Sequence, residues 1–416
     1  MATVLEQRAE RAEPRAEPRR LRRLGHRPVL DGLRGLAFLL VFVGHAQWLP
    51  MLRPAETAMF LFFALSGFLI TELLLEERAR TDRVSLARFF ARRALRLLPA
   101  LACFLAVWLL IVTVFAHHAP WLVTAPGSRH PHHKLATGHA LKTAAYAIGY
   151  VSNWMQINGR LGGTHQPLTH LWSLSVEEQF YLIWAPLLAA VLWLGTRVSN
   201  RRAARRVLAV LAGALAVGSL VDDGWHYFMA NGVHVARVAY GTDTRAGAFL
   251  LGGVAAVAWS NSWLRRAGAA VAHRLRHELA AGAPARLAAV VVTGAVVALL
   301  LSGRVEGDAQ GVLSKSLSYA AATAAAPLLV VSLVEAPGTV VGRVLSHPAV
   351  TYLGRRSYAL YLWHYVFLTW FHDLGFPGQL MAFGASVAAA ELSWRLVESR
   401  ALAAKRRLAG ATSGAS

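Results

Sequence analysis

Acidic residues are scarce in this sequence: 22 Asp and Glu stand against 43 Lys and Arg, and charged residues make up 16% of the 416 positions. Cysteine is nearly absent. The single Cys103 excludes a disulfide framework and a thiolate metal site, and its apolar surroundings make it a core residue. A cleavable signal layout is missing as well. Met1 to Arg27 holds eight Arg with Glu and Pro in near repeats, such as Arg11-Ala12-Glu13-Pro14 and Arg15-Ala16-Glu17-Pro18, and no apolar stretch precedes a small-residue cleavage site. The segment reads as a solvated basic tail, and the first apolar run is expected to remain as a membrane anchor.

Apolar residues dominate instead, at 56% of the chain with a mean hydropathy of +0.42. This excludes a set of soluble domains and a disordered chain. A net charge of +21 suggests nucleic acid at first sight, but the Lys and Arg fall in short runs between long apolar stretches. That is the pattern of membrane topology, so membrane lipids are expected as partners and nucleic acid is not.

Stretches of about 17 to 25 apolar residues suffice to cross a hydrocarbon core of about 30 Å. Ten qualify: Leu33–Met51, Thr57–Glu76, Leu95–Phe115, Leu168–Leu194, Val207–Val221, Thr242–Trp259, Ala288–Leu301, Leu317–Val334, Leu353–Phe371 and Gly378–Leu396. The expected fold is an all-α integral membrane protein, a bundle of about ten transmembrane helices. With the N-terminus inside, cytoplasmic segments carry 33 Lys and Arg and outer segments only eight, which places both termini in the cytoplasm. The chain then divides into a basic tail over residues 1–28, a membrane domain over 29–402 and a second cytoplasmic tail over 403–416. The outer connection from Ala116 to Pro167 is too long to be featureless. Helical apolar spacing over Leu141–Ile157 predicts an interfacial or re-entrant helix within it.

Ionisable residues inside spans are costly and therefore mark functional candidates. Asp31-Gly32-Leu33-Arg34-Gly35 leads to His45, which lies about 16 Å deeper than Arg34 and at nearly the same helical azimuth, close to the membrane centre. A positive-inside anchor and a hydrogen-bonded packing residue are the structural alternatives. In the fourth span, Ser173 and Glu177 share a face at i, i+4, and Glu177 reaches about 13 Å from the outer surface, level with His45. Its neighbour Glu178 points elsewhere, so only one of the two carboxylates is expected in the site, and an interhelical polar clamp also fits. Ser357, Tyr361 and His364 form a polar stripe on the ninth span, suited to chemistry or to supporting another helix. Arg93 and Arg96 share a face at the cytoplasmic edge of the third span, where bidentate bonds to phosphates or to lipid headgroups are available. Glu72 either pairs with one of these Arg or snorkels. In Tyr240-Gly241-Thr242-Asp243-Thr244-Arg245, Asp243 is placed to cap a helix and Arg245 to point inward, as an ion pair or an acceptor-binding element. His117, His118, His130, His132, His133, His139 and His165 enrich the outer connection, but without Cys or regular ligand spacing no metal site is expected.

In this order and spacing the segments resemble acyltransferase family three, multi-helix bacterial membrane O-acyltransferases that modify surface polysaccharides, peptidoglycan or secondary metabolites. The carriers are Leu30-Asp31-Gly32-Leu33-Arg34-Gly35 with His45, Phe62 to Ile70, Arg92-Arg93-x-x-Arg96 with Pro99, Ser152-Asn153-Trp154, Trp172 to Tyr181, Tyr240 to Arg245, and Ser357-Tyr358 with Tyr361 and His364. Ser399-Arg400 departs from the Pro expected after the closing Val397-Glu398.

The resemblance implies an enzyme of the bacterial cytoplasmic (inner) membrane that moves an acyl group, most often acetyl, from an acyl-CoA co-substrate to a hydroxyl, with no tightly bound cofactor. Arg34, Arg93 and Arg96 would hold the donor's phosphates. His45 would act as general base or transient acyl carrier, touching Glu177 directly or through water. Ser173, Glu178, Asp243, Arg245, Tyr361 and His364 would support the site or bind the acceptor. A cell-envelope saccharide or lipid-linked glycan is the expected acceptor, favoured by the long outer connection; a small hydrophobic metabolite such as a macrolide is the alternative. Outside acyl transfer, the same residues suit a proton-coupled transporter or a catalytically silent flippase or scaffold. The sequence leaves the acceptor, the acyl chain length and the oligomeric state open.

Overall fold

The computed structural model describes residues 24–49, 54–115, 137–161, 168–197, 201–229, 232–260, 311–401 and 403. Among them the chain forms helices and turns and no strand. In chain order the helices are α1 (Pro28–His45), α2 (Pro54–Thr81), α3 (Leu86–Phe115), α4 (Thr137–Ile148), α5 (Ser152–Ile157), α6 (Trp172–Arg197) and α7 (Arg201–Met229). They continue as α8 (Gly232–Tyr240), α9 (Thr242–Ser260), α10 (Gly311–Glu335), α11 (Val340–Leu345), α12 (Pro348–Arg355), α13 (Ser357–Trp370) and α14 (Gly375–Ser393), with a π-type turn over Trp394–Glu398.

Among the described residues, seven segments are long and apolar enough to cross a membrane: α1, α2, α3, α6 with its leading 3-10 turn, α7 from Ala203, α10 from Leu317, and His372–Ala401 around α14. The chain is a multi-pass membrane protein. Three of the ten expected spans stand differently. Ala288–Leu301 lies outside the described residues. The expected Thr242–Trp259 span forms as α9, but Asp243 and Arg245 in its first turns keep it out of the seven. The expected Leu353–Phe371 span is broken at Arg356, whose guanidinium bonds Glu391 and lies 3.9 Å from the centre of the Tyr352 ring. The remaining α13, at about 1.5 Å per residue, is about 21 Å long and falls short of a full crossing.

Both ends of α1 also shift. Pro28 occupies its first turn, and the chain leaves the helix after His45, with Gln47 in the left-handed region at φ 56°. His45 therefore sits in the last turn of α1 and not at the middle of a span. Residues 24–27 belong to the packed structure and not to a tail: the Leu24 amide donates to Glu76 Oε1 at 2.6 Å.

α2 is the central helix, with α1, α6, α9 and α10 packed around it. Lipid tails are as apolar as leucine, so membrane helices associate through close van der Waals contact, which small residues permit. A methyl group at Gly67 would collide with the Phe249 carbonyl of α9, and one at Gly252 with the Ala64 carbonyl of α2. On α1, Gly32 meets the Leu345 carbonyl of α11, and Gly35 meets the Val350 carbonyl of α12. The glycines of Asp31-Gly32-Leu33-Arg34-Gly35 thus serve helix docking, while Arg34 between them serves the interior.

The connection between α3 and α6 holds α4 and α5, separated by Tyr150 at φ 52°. It is tied inward by a polar cluster on α6. Gln179 Nε2 donates to the Tyr150 carbonyl at 2.7 Å and to Asn153 Oδ1 at 3.0 Å, and Trp154 Nε1 donates to Gln179 Oε1 at 3.0 Å. Asn153 Nδ2 also donates to Thr242 Oγ1 at 3.0 Å. Tyr150 reaches the same cavity as residues of α2 and α3.

Substitution of Gly67 by Val should destabilise the protein by at least about 3 kcal/mol, because the added carbons meet backbone and not a movable side chain. Thermal unfolding in detergent measures it. Gly213→Ala on α7, where nothing lies within 4 Å of the new methyl, should be neutral or stabilising by up to about 1 kcal/mol.

Candidate active site

A cavity of about 580 Å³ runs through the bundle along one face of α2. Its wall on that helix extends from Met59 to Glu76, about 25 Å of axis at about 1.5 Å per residue. At one end lie Leu24, Glu72, Glu76 and Arg92; at the other lie Met59, Phe62, Phe63, Ser173 and Tyr361. Arg34, Arg93 and Arg96 line it together with Glu177 and Glu178. Seven of the expected site residues therefore share one chamber, drawn from α1, α3, α6 and α13.

Its wall is organised around Arg93. Arg93 Nε donates to both oxygens of Glu178 at 2.7 and 2.9 Å, and Nη2 lies 3.4 Å from Glu177 Oε1. The guanidinium also covers the face of Tyr181 at 3.6 Å. Glu177 Oε1 further accepts from Ser66 Oγ at 2.7 Å and from the Tyr181 hydroxyl. Both adjacent carboxylates belong to the site, against the expectation of one, because a single cation from α3 reaches between them. Arg93 is correspondingly engaged with protein carboxylates and not free for a phosphate. Arg92 is likewise paired, with Glu77 at 3.4 Å. Arg34 and Arg96 make no ion pair among the described residues. Tyr150 lies outside the spans, and burial followed by the nearby Glu178 charge pushes its phenol well up, so it stays a neutral hydroxyl.

A second polar cluster adjoins the cavity at Tyr361. The Tyr361 hydroxyl meets Ser173 Oγ at 2.6 Å and also donates to the His170 carbonyl. One turn on, His364 Nδ1 lies 2.8 Å from the Tyr361 carbonyl oxygen, and His364 Nε2 lies 2.9 Å from His45 Nδ1. His45 does not line the cavity. It stands behind Tyr361, one imidazole further out. The expected direct contact between Glu177 and His45 is not made: α6 turns Glu177 toward α2 and α3, while the last turn of α1 presents His45 to α13.

Asp243 and Arg245 do not pair with each other and do not line the cavity. Asp243 bonds Arg237, at 2.9 Å from Nε, and Arg245 donates from Nε to the Ala239 carbonyl at 3.1 Å beside the Tyr319 and Trp172 rings. Glu398 is buried and accepts from Ser393 Oγ at 3.1 Å. Ser66, Tyr181 and Tyr358 line the cavity as well; they lie within the quoted motifs, but no site role was expected of them. Their side chains read as ordinary span residues until α2, α6 and α13 are packed together. Glu72 is neither paired with an Arg of α3 nor snorkelling: it is buried against the cavity, with Oε2 lacking a hydrogen bond. The His-rich stretch lies outside the described residues apart from the backbone at His139, and no metal-ligand cluster occurs among the described residues.

Residues 27–394 match the acyltransferase domain of acyltransferase family three. The chain is 29% identical over 385 residues to the O-acetyltransferase OatA of Staphylococcus aureus strain NCTC 8325, covering 89% of this chain and 56% of that protein. The same figures hold for OatA of strain MRSA252. The chain thus spans little more than half the length of the curated relatives it matches. No solved structure matches it.

Replacing Arg93 by Met should leave two neighbouring carboxylates without a counter-charge and lower stability by about 3 kcal/mol. Arg93→Lys should recover only part of this, because an ammonium cannot form the fork to Glu178. Melting temperatures of the detergent-solubilised variants check both, and unchanged melting in Arg93→Met would contradict the assigned bridge.

Proposed function

Because the chain belongs to acyltransferase family three, we propose that it is an O-acyltransferase of the bacterial cytoplasmic membrane. It moves an acyl group, in the first instance acetyl, from acyl-CoA to a hydroxyl of a cell-envelope saccharide or lipid-linked glycan. The O-acetyltransferase name of the OatA relatives supports acetyl as the group and oxygen as its destination. The observation that carries the reading is the cavity itself. It places two arginines without ion-pair partners among the described residues, Arg34 and Arg96, in one chamber that runs to Ser173 and Tyr361, beside the His364–His45 pair.

In this reading the donor's phosphates bind at Arg34 and Arg96, whose charges repel one another until an anion lies between them. Arg93 holds Glu177 and Glu178 in the wall and leaves the pantetheine arm a polar path toward Tyr361. His45 takes the proton from the acceptor hydroxyl as its oxygen attacks the thioester carbonyl, or carries the acyl group briefly if donor and acceptor approach from opposite sides. The thioester must pass the outer wall of the cavity to reach His45. Phe62 is the side chain placed to yield, since it lines the cavity and also packs on the Phe38–Phe42 cluster of α1.

Purified full-length protein given acetyl-CoA and a soluble N-acetylglucosamine oligomer should release CoA thiol in an acceptor-dependent manner, and His45→Ala should reduce that release to background. Arg34→Ala and Arg96→Ala should each raise KM for acetyl-CoA about tenfold, equivalent to about 1.4 kcal/mol, with kcat little changed. Release that persists undiminished in His45→Ala would refute the reading.

A further inference from the structure

The His45–His364 pair has its proton positions fixed from one end. His364 is wholly enclosed, and its Nδ1 faces the Tyr361 carbonyl oxygen at 2.8 Å. A carbonyl only accepts, so Nδ1 carries the hydrogen and donates it. The neutral ring then has a bare Nε2, and this is the atom 2.9 Å from His45 Nδ1. His45 must donate from Nδ1, which leaves its own Nε2 without hydrogen. Among the described residues no group bonds to that nitrogen.

Packing holds the pair in this sense. The two imidazoles lie edge to edge and nearly coplanar, with centroids 5.2 Å apart and planes 18° apart, while Phe38 and His170 meet the His364 ring edge-on at 5.8 and 5.3 Å. His45 is half-buried and His364 enclosed, the division of labour between a reacting ring and the group that orients it.

We infer that His364 is a positioning residue: anchored by the Tyr361 carbonyl, it selects the His45 tautomer whose Nε2 lone pair is available to react. The inference rests on the proposed role of His45 in acyl transfer. Nε2 takes the proton of the acceptor hydroxyl as the new carbon–oxygen bond forms. The carbon–sulfur bond breaks, and the departing thiolate takes that proton back from Nε2 to leave as CoA thiol. Throughout, His45 Nδ1–H stays bonded to His364, so a transient imidazolium is held by a neutral ring. This is the task the sequence suggested for Glu177.

Two readouts test it. The first is nitrogen NMR of 15N-histidine-labelled full-length protein, with the His45 signal assigned by its loss in His45→Ala. Wild type should show the Nδ1–H tautomer; His364→Phe should switch His45 to the Nε2–H form that free side chains favour. His364→Gln, whose amide oxygen accepts where Nε2 did, should retain Nδ1–H. An Nε2–H His45 in wild type overturns the inference. The second is turnover with acetyl-CoA and the N-acetylglucosamine oligomer. His364→Phe should lower kcat at least 100-fold with KM for acetyl-CoA within threefold, and His364→Gln should return kcat to within tenfold of wild type. If His45→Ala abolishes release while His364→Phe keeps kcat within threefold, the positioning role fails and the acyltransferase reading stands. If the tautomers behave as expected while His45→Ala leaves release intact, the acyltransferase role of His45 fails and the orientation of its ring stands.

Discussion

The architecture of the candidate site depends on one guanidinium placed between two consecutive carboxylates inside a membrane protein. Two like charges about 4 Å apart repel by about 4 kcal/mol at an effective dielectric near 20, and removal from water penalises each further. Arg93 relieves both terms by reaching from α3 to Glu178 and Glu177 on α6. The arrangement fixes α3 against α6, brings Ser66 and Tyr181 onto Glu177, and keeps a polar wall open through otherwise apolar packing. The cavity beside this wall follows α2 from Met59 to Glu76.

Backbone contact between helices makes the remainder possible. Because lipid offers no hydrophobic advantage to helix pairing, α2 meets α9 and α1 meets α12 through glycines that let one helix touch the other's carbonyls. Docked in this way, α1 delivers Arg34 to the cavity and His45 to the cluster beside Tyr361 from a single helix. The two side chains are then held in register by one helix. The polar cluster of Gln179, Asn153, Trp154 and Thr242 performs a comparable task for the connection that holds α4 and α5, drawing it in until Tyr150 becomes cavity wall.

Much of this was legible along the chain. The long apolar runs with their Lys and Arg bias marked a polytopic helical protein, and the rarity of ionisable groups within those runs marked Arg34, Glu177, Tyr361 and His364 as neighbours of a site. Helical periodicity placed Ser173 and Glu177 on one face and set the distance between Arg34 and His45. The limits had equally physical causes. Arg356 breaks a run that hydropathy reads as continuous, because its partner Glu391 lies on another helix. Glu177 and His45 matched in estimated depth, but depth carries no azimuth between separate helices, and they face different neighbours.

The sequence by itself determined the class of the molecule, the identity of its buried polar residues and the spacing within each helix, since hydropathy and the 3.6-residue period are properties of a single segment. Pairing across helices was decided only by the tertiary structure: Arg93 with both carboxylates, Asp243 with Arg237 and not Arg245, and His45 with His364. Those choices depend on the rotation and depth at which separate rods pack, and no local pattern in the chain encodes them.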